Sequence, residues 1–225
     1  MDTLFATPEV YYCEEPLYGS YFEPLNTLSN AAVIGASLRF RRKLRMAGAE
    51  DGRFQVFLVL LMVFGLGSAA WHTVPTFFTW VLDVLPVSLF FVYFIYFLHL
   101  RLLPNARLGR RWFIVFLLWS VAMTLVLQRA FDGRLNGAET YIAQISFLGG
   151  VGVYACARRH PSARWVFAVC GMFLVQLCFR QFDGAFCAQW PYGLHFLWHL
   201  TGSVTIYLAL WIMYFSELRE PQHPG

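Results

Sequence analysis

"FQVFLVLLMVFGLGSAAWHT", residues 54–73, runs for twenty positions without an Asp, Glu, Lys or Arg. A helix needs about 20 apolar residues to cross the hydrocarbon core of a bilayer, so this stretch reads as a membrane span. Its far end changes character. Gly65, Gly67, Ala69 and Ala70 are small, and Ser68 and His72 stand one helical turn apart on one face. Polar side chains at membrane depth are costly, so a serine and a histidine here need a reason.

The rest of the chain fits a membrane setting. Of its 225 residues, 58% are hydrophobic and only 13% charged, against about 25% charged in a typical soluble domain. Seven apolar blocks are long enough to span, near 24–41, 54–73, 77–100, 111–129, 138–157, 163–181 and 194–216. The first is interrupted by Asn26, Ser29 and Asn30. The expectation is an all-α membrane protein, a bundle of seven transmembrane helices. No cleavable signal peptide is expected, because the first twenty residues carry Asp2, Glu9, Glu14 and Glu15 but no Lys or Arg.

Basic residues set the expected orientation. Arg39, Arg41, Arg42, Lys43, Arg45 and Arg53 lie between blocks one and two. Arg101, Arg107, Arg110 and Arg111 lie between three and four, Arg158, Arg159 and Arg164 between five and six, and Arg219 after seven. The other side has only Arg129, Arg134 and Arg180. By the positive-inside bias the N-terminus is outside and the C-terminus cytoplasmic. The domains expected are an N-terminal outer segment 1–23, a seven-helix transmembrane domain 24–216 and a cytoplasmic tail 217–225. The net charge of +4 is explained by topology, with no nucleic-acid partner required, and no protein partner is predicted. Short Arg-rich loops and the lack of a retrieval signal are compatible with a bacterial inner membrane.

Polar residues gather toward the outer face. His72 ends block two, Asp83 comes about two turns into block three, and His195 and His199 open block seven. Asn26, Ser29 and Asn30 lie in the outer half of block one. A transporter or proton pump needs polar groups along a path through the membrane. A one-sided layer better suits a site that takes something from the outer leaflet or outer solvent.

"LHFLWHLTGS" (194–203) sets His195 and His199 at i and i+4, a spacing that lets two imidazoles share one ion. With His72 from another helix end they make three nitrogens. Three histidines with water in an open fourth position is a catalytic zinc arrangement. The plainer reading is interfacial or hydrogen-bonded packing, which is the one given to His99, His160 and His223. Asp83 beside such a centre would move a proton between attacking water and leaving group; otherwise it is a salt-bridge partner or cap. Ser68 would orient the water or donate to a developing oxyanion; otherwise it is a small residue for helix packing. Cys156, Cys170 and Cys178 fall in apolar blocks as packing residues. Cys13 and Cys187 both fall on the outer side, where disulfides are permitted.

The ordered set "YYCEEP", "EPLNTLSN", "GLGSAAWHT", "LDVLP", "FDGAFC" and "LHFLWHLTGS" resembles the alkaline ceramidase family, within a wider group of seven-helix membrane hydrolases related to the adiponectin receptors. The resemblance spans nearly the whole chain. It implies an intramembrane zinc ion held by His72, His195 and His199, with Ser68 and Asp83 as further catalytic residues. It also implies hydrolysis of the amide bond of a ceramide-like membrane lipid, and a disulfide between Cys13 and Cys187. Eukaryotic members carry a calcium site in the N-terminal segment. Glu14 and Glu23 match two of its oxygen ligands, but Tyr11 and Pro16 replace an expected aspartate and asparagine. Calcium wants six to eight oxygens, so calcium here is weak or draws on donors such as Glu15. The rival reading is a non-enzymatic seven-helix lipid receptor with a structural zinc, or a hydrolase of another acyl lipid.

Overall fold

The computed structural model describes residues 12–18, 21–49, 51–132, 134–135 and 137–219. Expectations placed on residues 1–11 and 220–225, His223 among them, lie outside the described residues. Among the described residues every regular element is helical. After a short 3-10 turn, Glu15–Tyr18, come α1 (Pro24–Ser29), α2 (Ala31–Met46), α3 (Gly52–Trp71), α4 (Phe77–Leu102), α5 (Ala106–Phe131), α6 (Glu139–Ala157), α7 (Ala163–Phe186) and α8 (His195–Arg219).

Six of these, α3 to α8, are long and apolar enough to cross a membrane. The first block does not form one such helix. It divides into α1 and α2 at Asn30, whose backbone stays in the right-handed helical region at φ −66° and ψ −18°. Two features set it apart. Asn26, Ser29 and Asn30 are buried and hydrogen-bonded within the first turns. The later turns of α2 carry Arg39, Arg41, Arg42, Lys43 and Arg45, which lowers their apolar character.

Local chemistry sets the helix ends. Asp51 caps α3 by accepting the N–H groups of Arg53 and Phe54, and Asn105 caps α5 through Leu108. The cap places the start of α5 five residues ahead of the apolar block. Helix α7 runs five residues past its block, through Asp183 to Phe186. Arg219 ends α8, so the helix takes in the first three positions expected in the tail.

The chain divides into two compact units. One is built on the described part of Met1–Phe91 together with Cys178–Tyr207, the other on the described part of Val92–Leu177 and Leu208–Gly225. In the first, Phe40, Leu44, Phe57, Leu61 and Phe90 are buried. Phe40 meets Phe54 and Tyr207 at 6.0 and 5.9 Å between ring centroids, and Phe57 meets Phe90 at 5.5 Å. In the second, Phe94, Leu98, Phe116, Leu148, Val166 and Phe173 are buried. There Trp119 donates to the Ala143 carbonyl at 3.1 Å, tying α5 to α6. Helix α5 turns Ile114, Leu118, Val121 and Leu125 outward, as suits a lipid-facing surface.

Candidate metal centre

The centre lies within the first unit. His72 is the C-cap of α3; His195 and His199 occupy the first two turns of α8. All three are buried, and one nitrogen from each lies within 4.8 Å of the others. Ring centroids are 5.2 Å apart for His72 and His195, 4.9 Å for His72 and His199, and 4.7 Å for His195 and His199. Among the described residues this is the one group of three or more His, Cys, Asp or Glu whose ligand atoms converge so closely.

Each histidine is held from behind. The Nδ1 of His72 lies 2.7 Å from Glu23 Oε2, and the His72 carbonyl accepts from the Glu23 N–H at 2.9 Å and the Thr27 hydroxyl at 3.2 Å. The Nδ1 of His199 lies 2.8 Å from Ser29 Oγ and 3.1 Å from the Asn26 carbonyl. Both oxygens can accept from Nδ1–H, which leaves Nε2 for a ligand. His195 is fixed through its backbone, whose N–H donates to Asp183 Oδ1 at 2.9 Å. His72 Nε2 and His195 Nδ1 are buried without a hydrogen-bond partner. Buried polar atoms are rarely left so. Two rings with an orphaned nitrogen, in a trio whose ligand atoms converge and in which His72 and His199 are braced at Nδ1, fit a metal ion.

Ser68 and Asp83 are brought together by a tight helix contact. Pro86 lies inside α4 and has no N–H, so the Leu82 carbonyl four residues earlier lacks its helical donor. That carbonyl sits against Gly67: a Cβ there would collide with the Leu82 backbone. The next residues on each helix are Ser68 and Asp83, whose side chains are neighbours. The Ser68 hydroxyl is buried and without a hydrogen-bond partner by geometry. Asp83 is half-buried.

The carboxylates matched to a calcium site have other partners. Glu14 is fully buried and accepts the N–H groups of Leu25 and Asn26 at 2.6 and 2.9 Å, at the start of α1. Burial raises its carboxyl above the ordinary range despite these bonds. Glu23 braces His72 and also accepts from Asn26 Nδ2 at 2.7 Å. Burial pushes it up to about 7, the Asn26 bond opposing and the Asp183 charge adding. Glu15 is half-buried.

Cys13 and Cys187 are joined by a disulfide, with Cα atoms 5.1 Å apart. It lies beside Asp183, which reading of the sequence did not single out. Asp183 is buried and accepts from the N–H groups of Cys13 (3.3 Å), Leu194 (2.5 Å) and His195 (2.9 Å). A carboxylate at the start of α8 also suits the helix dipole. Gly193, at φ +64°, turns the chain there, and a Cβ would strike Asp183 Oδ1. Two more residues near the centre were given no site role from the sequence, Arg180 being counted only as a topology charge. Tyr12 packs on His195 and His72, and Arg180 lies over the Trp198 ring at 5.4 Å while Trp198 stacks on His195. A basic residue at the end of an apolar block and an acidic one just past it, Arg180 and Asp183, were the available signal.

A family model, Ceramidase, matches residues 6–224. The chain belongs to the ceramidase family. A search of curated proteins returned no match. As a ceramidase-family member the protein is a hydrolase of amide C–N bonds that acts on a lipid, and its apolar helices make it a multi-pass membrane protein. The three histidines are this ceramidase's group suited to a metal ion.

Proposed function

We propose that the protein is a zinc-dependent intramembrane amidase that cleaves ceramide-like lipids into a fatty acid and a sphingoid base. The observation that carries the reading is the convergence of three buried imidazoles in a chain of the ceramidase family. His72, His195 and His199 would hold the zinc, an ion that takes three protein ligands in catalytic sites and four in structural ones. When bound, zinc would polarise the amide carbonyl and acidify water.

In this reading the chain's own residues supply the rest. Asp83 takes a proton from the attacking water as the new C–O bond forms. It returns that proton to the nitrogen as the C–N bond breaks, so the base leaves as a neutral amine. The Ser68 hydroxyl, buried beside Asp83, donates to the carbonyl oxygen as charge develops there. Glu23 fixes the tautomer of His72 by accepting from Nδ1–H. Calcium has no role in the reading, since Glu14 and Glu23 already serve α1 and His72.

Seven passes complete the proposal. Helices α1 and α2 together form the first pass, about 34 Å of helix at 1.5 Å per residue. The Arg and Lys of α2 would lie inside and the N-terminus outside. The chain's short basic loops are compatible with a bacterial inner membrane as host.

The test incubates purified protein with a panel of ceramides, acyl esters and other acyl amides, with and without a zinc chelator, and extracts the lipids. Release of fatty acid and sphingoid base, lost with chelator and regained with zinc, is the expected result. Cleavage only of esters, or cleavage untouched by complete zinc removal, would overturn it.

A further inference from the structure

We propose that Tyr12 is a positioning residue of the hydrolytic site, a flat cover anchored by the adjacent disulfide that holds His195 and His72 in place and keeps bulk water from them. The inference rests on the metal-centre reading above. The Tyr12 ring lies 4.0 Å from the His195 ring, centroid to centroid and tilted 35°, and 5.2 Å from the His72 ring. These imidazoles come from different helices, one ending α3 and one beginning α8. Tyr12 bridges them from a third segment that precedes every helix.

The phenol has a mixed setting that suits a cover. The Trp71 side chain is its polar neighbour, and the charges of Arg180, Asp83 and Glu23 all reach it. Tyrosine joins a large apolar face to a polar tip, so one ring can pack on imidazoles and still meet polar surroundings.

What keeps the ring there is not in Tyr12 itself. It stands outside any helix, and its neighbour Cys13 carries the anchors: the bond to Cys187 and the N–H donated to Asp183. Asp183 also holds the His195 N–H. The cover and one of the rings beneath it therefore share a single carboxylate. Cutting the disulfide would free residue 12 first, and the effect on the centre would pass through the lost ring.

The experiment measures carbethoxylation of each histidine by peptide mass spectrometry in metal-free protein, and in parallel the rate at which zinc-loaded protein yields zinc to a chelator. His199, held at Nδ1 by Ser29 and Asn26, is the internal reference. Tyr12→Ala should label His195 and His72 several times faster than wild type relative to His199, and should lose zinc about tenfold faster, the lower end of what a supporting residue is worth. Tyr12→Phe should match wild type in both. The Cys13→Ser, Cys187→Ser pair should match Tyr12→Ala, and adding Tyr12→Ala to it should change nothing further. If the alanine variant fails to fold, Tyr12→Leu, which keeps apolar volume without the flat ring, is read in the same way.

Wild-type labelling in the alanine or leucine variant would overturn the proposal. So would a Tyr12→Phe variant as open as Tyr12→Ala, or disulfide and Tyr12 effects that multiply. Protein that holds no zinc but shows the expected labelling would keep the cover and remove the metal reading.

Discussion

Gly67 of α3 packs directly against the backbone of Leu82 in α4, with no room between them for a methyl group. The obstacle is a carbonyl, which cannot rotate away as a side chain could. Gly67→Ala should therefore push the helices apart and separate Ser68 from Asp83. The overpacking cost should be about 1–3 kcal/mol, seen as a lower thermal transition in detergent, with activity falling further than stability. A Gly67→Ala protein with wild-type melting and turnover would mean that the contact is looser than described.

Metal content is the most direct check on the three histidines. Purified protein should hold about one zinc per chain, and a His195→Ala, His199→Ala double variant should lose it together with activity. Elemental analysis finding full zinc in that variant would end the reading.

Asp83 and Ser68 should separate chemistry from binding. Asp83→Asn keeps the shape but cannot take a proton, so it should retain zinc and lose about 10²–10⁴-fold in turnover. Ser68→Ala should also retain zinc, with a loss of up to about 10²–10³-fold from the missing donor. A wild-type rate in Asp83→Asn would place the proton transfer on another group.

Glu23→Gln tests the brace behind His72. Its carbonyl can still accept from Nδ1–H, but the negative charge is gone. Metal affinity should fall about 10–100-fold, the usual worth of an outer partner to a ligand histidine. Competition with a chromophoric chelator gives the number. Unchanged affinity would show that the 2.7 Å pair orients the ring without tuning the ion.

The Cys13–Cys187 bond can be read in unreduced, alkylated protein. A linked peptide containing both residues is expected, and it would also put the N-terminal segment and the turn after α7 on one side of the membrane. Both cysteines carrying the alkylating label would contradict the bond.

Much of this was open to reading in the linear chain. An uncharged run such as 54–73 can hardly be anything but a buried or membrane helix. A His pair at i and i+4 must share a face, so the metal trio needed only one more nitrogen at the same depth. What could not be read were the braces. Glu23 lies 49 residues from His72, and Asp183 lies 170 from Cys13. No local pattern announces such partners. Asp183 in particular accepts backbone N–H groups, which every residue offers, so nothing in the partner sequences marks it. The break at Asn30 was hidden for a different reason: the backbone hardly leaves helical geometry there.

The disulfide spans 174 positions, and this gives the protein an order of birth. A chain made from its N-terminus exposes Cys13 early and must keep that thiol waiting while α1 to α7 are made. Only when Cys187 follows can the bond close, and His195 and His199 come later still. No chain that stops short of residue 199 carries all three histidines, so the group suited to a metal ion cannot assemble until α8 has begun to emerge.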